Sequence, residues 1–273
     1  MKIGIITDQH FGSHKGSQVY LDYYAEFYDN IFFPWLKKNK ITTLLDLGDT
    51  FDNRKSIDFV TLQWARRYYD TLRAMDITVH TIVGNHTAYY KNTNDLNTLA
   101  MLLAEYDNVY CYEDALDLDI GGTSILLVPW ICAENYEKSL RTIRNSTSKV
   151  AMGHLELSGY LARPGFVYEH GMDASLFSDF DLVLSGHFHH KSSKGNVTYL
   201  GNPYQLYWND YGDPRGFHSF DTETFKLGFV KNPYEIFSKI YWNDDTEIEP
   251  KNYKGQYVKV IVEQKTNYAR FEQ

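Results

Sequence analysis

Five apolar runs in this chain each end in residues that can ligate a metal. They are IGIIT before Asp8-Gln9-His10, TTLLDL before Gly48-Asp49 and HTIV before Gly84-Asn85-His86, then VAM before Gly153-His154 and LVLS before Gly186-His187-Phe188-His189. Apolar runs of this length, separated by helical patterns, read as buried strands of an α/β fold. Such folds place their chemistry at the carboxyl ends of their strands. Five strand ends would bring two Asp, one Asn and five His to one edge. That donor set is large enough for two metal ions, and paired metals point to phosphate-ester chemistry.

The rest of the chain supplies a scaffold for that edge. In the first half, residues 3–7, 43–47 and 77–83 read as strands, and residues 18–39, 59–75 and 94–105 as helices. Pro34 should kink or interrupt the first helix near its end. The second half holds more strand. Gly121-Gly122 between Leu116–Ile120 and residues 123–127 signals a two-residue hairpin. Residues 133–144 read as helix, 150–152 and 182–184 as short strands, and 197–200, Gly216–Asp221 and 227–230 as a run of strands. The pattern predicts an α/β fold of two facing mixed sheets with helices outside. The polar stretch 243–254 marks a boundary. The predicted domains are therefore 1–243, carrying the site, and 244–273, a linker followed by the strand Tyr257–Val262.

Composition narrows the function. No run of about 18 apolar residues exists, so no membrane span is predicted. The first residues run straight into a strand without a secretory pattern. Cys111 and Cys132 are the only cysteines among 273 residues, which argues for a reducing compartment and against a zinc-thiolate site. The net charge of −8 is unlike that of a free-standing nucleic-acid binder. Two divalent ions would add four positive charges locally and change the field at the site far more than the average does. Nothing in the sequence explains the 23 tyrosines.

Asp8 and His10 are two residues apart in extended chain, so their side chains share a face, and His187 and His189 repeat the arrangement. Carboxylate, amide oxygen and imidazole together suit manganese, iron or zinc better than calcium or magnesium. The chemistry expected is that of a two-metal hydrolase. His86, adjacent to a ligand, is the candidate for protonating the leaving oxygen. Arg54 and Lys55, just past Asp49, and His190, beside His189, are candidate substrate contacts.

These motifs, in this order, resemble the calcineurin-like metallophosphoesterase superfamily. Within it, GDTFDNRKS, GHLELSG, SGHFHH and GNPYQL are similar to the SbcD family, the nuclease subunits of double-strand-break repair complexes. The segments ITTLLDLGDTFDNRK, HTIVGNH, YYKN, GHLELSGY and NDYGDPRGF look most like the T-even phage branch of recombination endonuclease subunits. The resemblance spans about residues 1–263. It implies a calcineurin-like β-sandwich and a manganese-dependent 3′-to-5′ exonuclease and endonuclease acting on DNA. It also implies a homodimer that works with an SbcC-type ATPase in repair and recombination. One metal would take Asp8, His10, Asp49 and His189, and the other Asp49, Asn85, His154 and His187. His86 would be the catalytic histidine, and Asp52 stands where the family places a substrate-facing His or Asp. Absent export signals predict a cytoplasmic location, in the host cell if the chain is phage-encoded.

Two departures stand out. The family follows Gly-Asn-His with an acidic residue, whereas this chain has Thr87. Thr cannot offer a carboxylate to orient its neighbours, so Thr87→Asp is expected to raise turnover. The family also continues into a DNA-capping domain and an ATPase-docking segment. This chain stops near where the cap would begin, so 244–273 is expected to be the start of a truncated cap. Two alternatives remain at this level. A phosphatase or small phosphodiesterase of the same fold would carry GDxVDRG and GNHE, against GDTFDNR and GNHT here. A non-catalytic scaffold would lose ligands, and this chain keeps them.

Overall fold

The computed structural model describes residues 1–273 apart from 244, 265, 268, 270, 271 and 273. In chain order the first half runs β1 (Lys2–Ile6), α1 (Gln18–Phe27), α2 (Phe33–Lys38), β2 (Thr43–Asp46), α3 (Phe59–Ala74), β3 (Thr78–Ile82), α4 (Thr98–Leu103) and β4 (Val109–Tyr112). The second half runs β5 (Leu116–Ile120), β6 (Thr123–Val128), α5 (Tyr136–Asn145), β7 (Val150–Gly153), β8 (Tyr160–Arg163), β9 (Phe166–Tyr168), β10 (Leu182–Ser185), β11 (Ser192–Lys194) and β12 (Val197–Tyr199). It ends with β13 (Gly216–Asp221), β14 (Leu227–Lys231), β15 (Phe237–Trp242) and β16 (Tyr257–Val262).

Two six-stranded sheets result, ordered β14-β13-β1-β2-β3-β4 and β11-β12-β10-β7-β6-β5. In the first, β1 to β4 run parallel, and in the second, β12, β10, β7 and β6 do. Antiparallel neighbours close the edges at β13, β14, β11 and β5. Because strand side chains alternate, one sequence run feeds two cores. Ile3, Ile5, Leu45 and Ile82 join Ile125, Leu127, Val150 and Met152 in a layer between the sheets. Ile6, Leu44 and Val79 face the other way, under α1 to α4. A third cluster, including Leu126, Ala151, Val183 and Tyr199, packs on the outer side of the second sheet. The fold is the predicted mixed α/β arrangement of facing sheets.

Local chemistry sets the boundaries. The helix expected over 18–39 is broken at 28–32, where the turn widens and the Phe33 N–H reaches back five residues to the Tyr28 carbonyl. Pro34 follows and has no N–H to give the regular ladder. The helix expected over 94–105 begins only at Thr98, because Asn97 caps it by accepting the Ala100 N–H at 2.8 Å. The Gly121-Gly122 hairpin forms, both glycines at positive φ. The sequence reading missed β4, β8, β9, β11 and β15. Strand β15 pairs in parallel with β16, so the expected boundary at 243/244 falls between two hydrogen-bonded strands. Asp244, within that expected linker, lies outside the described residues.

The tyrosine excess also acquires a place. Tyr20, Tyr23, Tyr24, Tyr28, Tyr68, Tyr69 and Tyr204 are all buried in the core under the helices. Several of their hydroxyls meet polar groups: Tyr24 meets Ser13 at 2.7 Å, Tyr28 donates to the Gln9 side chain at 2.5 Å and Tyr204 donates to the Gln9 carbonyl at 2.6 Å. Aromatic bulk fills the core while the polar tips hold the loop that follows β1.

His218 on β13 is 2% exposed, and burial, with the Lys191 charge second, pushes its imidazole down to about 3. The folded chain therefore holds it neutral, while the unfolded chain takes up a proton below about 6.5. Stability is present above pH 6.5 and is lost as pH falls toward 3. Going from pH 6.5 to 5 should cost about 2 kcal/mol through this group. Urea unfolding of wild type and His218→Asn at both pH values checks it, and the variant should lose less.

Candidate metal centre

The five parallel strands β1, β2, β3, β7 and β10 all deliver their carboxyl ends to one edge. The loops after β1 and β2 run side by side, with Asp8 N–H donating to Gly48 O and His10 N–H to Asp49 O, both at 2.9 Å. The two sheets are joined across the gap, because Asp8 accepts the His187 N–H at 3.0 Å. Asp8, His10, Asp49 and His187 all have positive φ, between 48° and 83°. Non-glycine residues in that region are strained, and such strain collects at functional sites. Glycine could relieve it but would remove the side chain. The reverse holds at Gly84, where any Cβ would collide with Asp49, and at Gly186, where it would collide with Thr7.

The donor atoms converge in three overlapping groups: Asp8, His10 and His189; His10, Asp49 and His86; and Asp49, His154 and His187. Nε2 of His10 and Nε2 of His189 lie 3.0 Å apart, each close to 4 Å from Asp8 Oδ1. On the other side, Asn85 Oδ1 stands 3.0 Å from His154 Nε2 and 2.9 Å from His187 Nδ1. Asp49 Oδ2 lies between, 3.2 Å from His154 Nε2 and 4.0 Å from His10 Nε2. Every position expected to bind metal therefore reaches this cluster.

The rear nitrogens are held. His154 Nδ1 donates to the Leu47 carbonyl at 2.8 Å, His10 Nδ1 pairs with Asp52 at 3.0 Å, and His187 Nε2 pairs with Glu156 at 3.2 Å. Each arrangement turns the opposite nitrogen inward, the usual device for orienting metal-binding histidines. Burial disfavours the Asp49 charge, but His154 and His10 outweigh it and lower its pKa. Burial alone would depress His154, yet the Asp49 charge and hydrogen bond raise it to about 9. Burial, then His10 and Arg215, push His189 well below the ordinary imidazole range, which leaves a lone pair on it.

His86 sits at the rim. Its backbone N–H donates to Asp49 Oδ1 at 2.7 Å and its Nδ1 to the Asp52 carbonyl at 2.7 Å. Asp52, expected to face substrate, is partly exposed and pairs one carboxylate oxygen with His10. Lys55 is exposed, 5.9 Å from the Tyr89 ring centre, and Arg54 is half-buried. His190 pairs with Asp213 at 2.8 Å.

Thr87 proves to be inside the turn. Its hydroxyl accepts the Gly84 N–H at 2.9 Å and donates to the Gly84 carbonyl at 3.0 Å. An ionised Asp could not make the second bond and would bury its charge, so the expected gain from Thr87→Asp loses its ground. Thr87→Val should instead cost about 1–3 kcal/mol by orphaning the buried Gly84 N–H, while the Gly84 carbonyl keeps the Thr87 and Ala88 N–H groups. A denaturant series on that variant checks this, and an unchanged midpoint contradicts it.

Sequence reasoning missed Glu156, Gln9, Asp46 and Arg215. Glu156 carries a readable signal, lying two residues past His154. Gln9 and Asp46 do not. The Gln9 side chain donates to Asp46 at 2.9 Å, and Asp46 also accepts from Thr50 at 2.6 Å and from the Gly48 N–H at 3.2 Å. This buried knot fixes the two ligand loops to each other.

A family model described as calcineurin-like phosphoesterase matches residues 1–191. The chain is 40% identical over 237 residues to exonuclease subunit 1 of Enterobacteria phage T4, covering 86% of this chain and 70% of that one. It is 26% identical over 178 residues to an Invertebrate iridescent virus 3 protein that carries a phosphoesterase description, covering 62% and 50%. Among solved structures, a dimetal phosphatase from Danio rerio aligns with a TM-score of 0.46 at 12% identity, over 86% of this chain and 97% of that one.

Proposed function

The chain belongs to the calcineurin-like phosphoesterase family, and from that premise we propose that it is a DNA nuclease dependent on two divalent ions. The observation that carries the two-ion part is the shared position of Asp49 between two donor groups. DNA as substrate is supported by the T4 relative named as an exonuclease subunit. Asp8, His10, Asp49 and His189 would hold one ion, and Asp49, Asn85, His154 and His187 the other. The mixed oxygen and nitrogen donors fit manganese. Bound ions of this kind supply Lewis acidity to phosphoryl oxygens and bring the pKa of water toward neutrality.

The chain's own groups do the rest. His86, fixed at Nδ1 by the Asp52 carbonyl, presents Nε2 to the leaving oxygen and hands it a proton. Asp52 positions His10, and Glu156 does the same for His187. Arg54 and Lys55 flank the path a phosphodiester would follow, with His190 behind His189.

The proposal extends to an SbcC-type ATPase partner, a homodimer and a cytoplasmic site of action, supported by the motif resemblance. Exposed Phe59 on α3 and Met101 on α4, at 89% and 69%, support a paired surface there. No helix among the described residues is long and apolar enough to cross a membrane. Residues 1–243 are proposed as the nuclease domain, to which residues 244–273 add β16 beside β15.

Incubation of an end-labelled DNA duplex with the chain, in manganese and in chelator, tests the function. Manganese-dependent release of nucleotides is expected. Hydrolysis of p-nitrophenyl phosphate without any DNA cleavage would transfer the chain to the phosphatases.

A further inference from the structure

Beside the metal centre lies an open hollow of about 480 Å³, within the roughly 300–1,000 Å³ range of ligand sites. His14, Lys15, Tyr20, Tyr207, Trp208 and Tyr257 line it. It begins four residues past His10, on the same loop. His14 stacks flat on Tyr20, with ring centres 3.8 Å apart and planes 7° apart, and its Nε2 meets the Leu206 carbonyl at 2.8 Å. Tyr207 stands 5.6 Å from the His14 ring, and Tyr257 stands 5.6 Å from Tyr20.

Three features set this hollow apart from the edge of a core. Its aromatic rims are open to solvent, Tyr207 at 48% and Tyr257 at 40%. Cations interleave with the rings: Lys15 is an exposed part of the lining, and Lys259 Nζ sits 4.5 Å over the Trp208 ring. His14 and Lys15 both hold positive φ, at 58° and 55°, a strained conformation in non-glycine residues. The hollow also adjoins the centre electrically. Burial raises the Tyr207 phenol, and the Asp52 charge is the next cause.

We propose that this hollow binds unpaired bases of a DNA strand by stacking, beside the phosphate that the metal centre cleaves. Aromatic faces accept any base, and flanking lysines meet the backbone phosphates, which is how single strands are held without sequence preference. With a net charge of −8, attraction to a phosphate backbone has to come from local cations such as these. The inference rests on the nuclease function proposed above.

The test uses three substrates in manganese: bis(p-nitrophenyl) phosphate, a single-stranded oligonucleotide, and the same oligonucleotide with abasic sites. Tyr207→Ala should raise KM for the oligonucleotide about 5- to 100-fold. Tyr207→Phe should restore it, and Lys15→Asn should weaken its dependence on low salt. Turnover of bis(p-nitrophenyl) phosphate should stay unchanged in all three variants. Wild type should treat the abasic strand as Tyr207→Ala treats the natural one. Equal KM values for wild type and Tyr207→Ala, or indifference of wild type to the missing bases, overturn the stacking site while leaving the nuclease intact. Cleavage of bis(p-nitrophenyl) phosphate with no cleavage of either oligonucleotide overturns both.

Discussion

His86→Ala should lower DNA hydrolysis by about 10²–10⁴-fold, the usual contribution of a positioned acid or base. Bound metal should not change. The contact from residue 86 to Asp49 is made by the backbone N–H, at 2.7 Å, and alanine keeps it. What is lost is the imidazole that the Asp52 carbonyl aims. His86 also belongs to a donor group with His10 and Asp49, so a ligand role is the competing assignment. Single-turnover cleavage together with metal analysis separates the two. A slow enzyme with full metal content makes His86 the proton donor, whereas a loss of metal in step with activity makes it a ligand.

Arg215→Met should be the most destabilising single change, at about 3–5 kcal/mol. The guanidinium is 4% exposed, as buried as its partners, Asp210 at 2.9 Å and Asp213 at 2.8 Å. It also donates to the His189 carbonyl and to Asn202. Methionine would match much of its volume and none of its charge, leaving Asp210 buried without a cation and Asp213 with His190 alone. At roughly 2–4 °C per kcal/mol for a chain of this size, the melting temperature should fall by about 6–20 °C. The His189 carbonyl loses the Arg215 bond in the same substitution and keeps the longer Asn202 N–H bond at 3.3 Å, so manganese affinity should fall too. A melting shift below about 2 °C would show that the cluster is not supporting the fold.

The ligand set was legible because its pattern is local. Each candidate ligand closely follows an apolar run, and the parallel strands deliver those runs to one edge; Asp8 and His10 come together there through left-handed loop backbone past the end of β1, not through the extended alternation their spacing suggested. The sheets were legible for the same reason, in their long apolar members. The short strands β8, β9 and β11 were not, since three or four residues of mixed polarity carry little periodicity. Strand β15 reads FSKIYW, and its Ser and Lys break the apolar run that its buried Phe237, Ile240 and Trp242 would have made. The supports of the site were hidden because they are long-range. Arg215 meets His189 across 26 residues, and Tyr204 meets Gln9 across 195. Composition showed too many tyrosines, but only the packed core shows their hydroxyls fastening the loop that carries Asp8 and His10. Thr87 looked like a defect because the sequence shows which side chain is present and not which way it points.

Anomalous diffraction at the manganese edge, from crystals grown with Mn²⁺, tests the two-ion centre most directly. Two peaks about 3.5–4 Å apart are expected, both touching Asp49, one beside Asp8, His10 and His189 and the other beside Asn85, His154 and His187. A single peak, or peaks away from these side chains, would contradict a two-metal nuclease built on five strand ends.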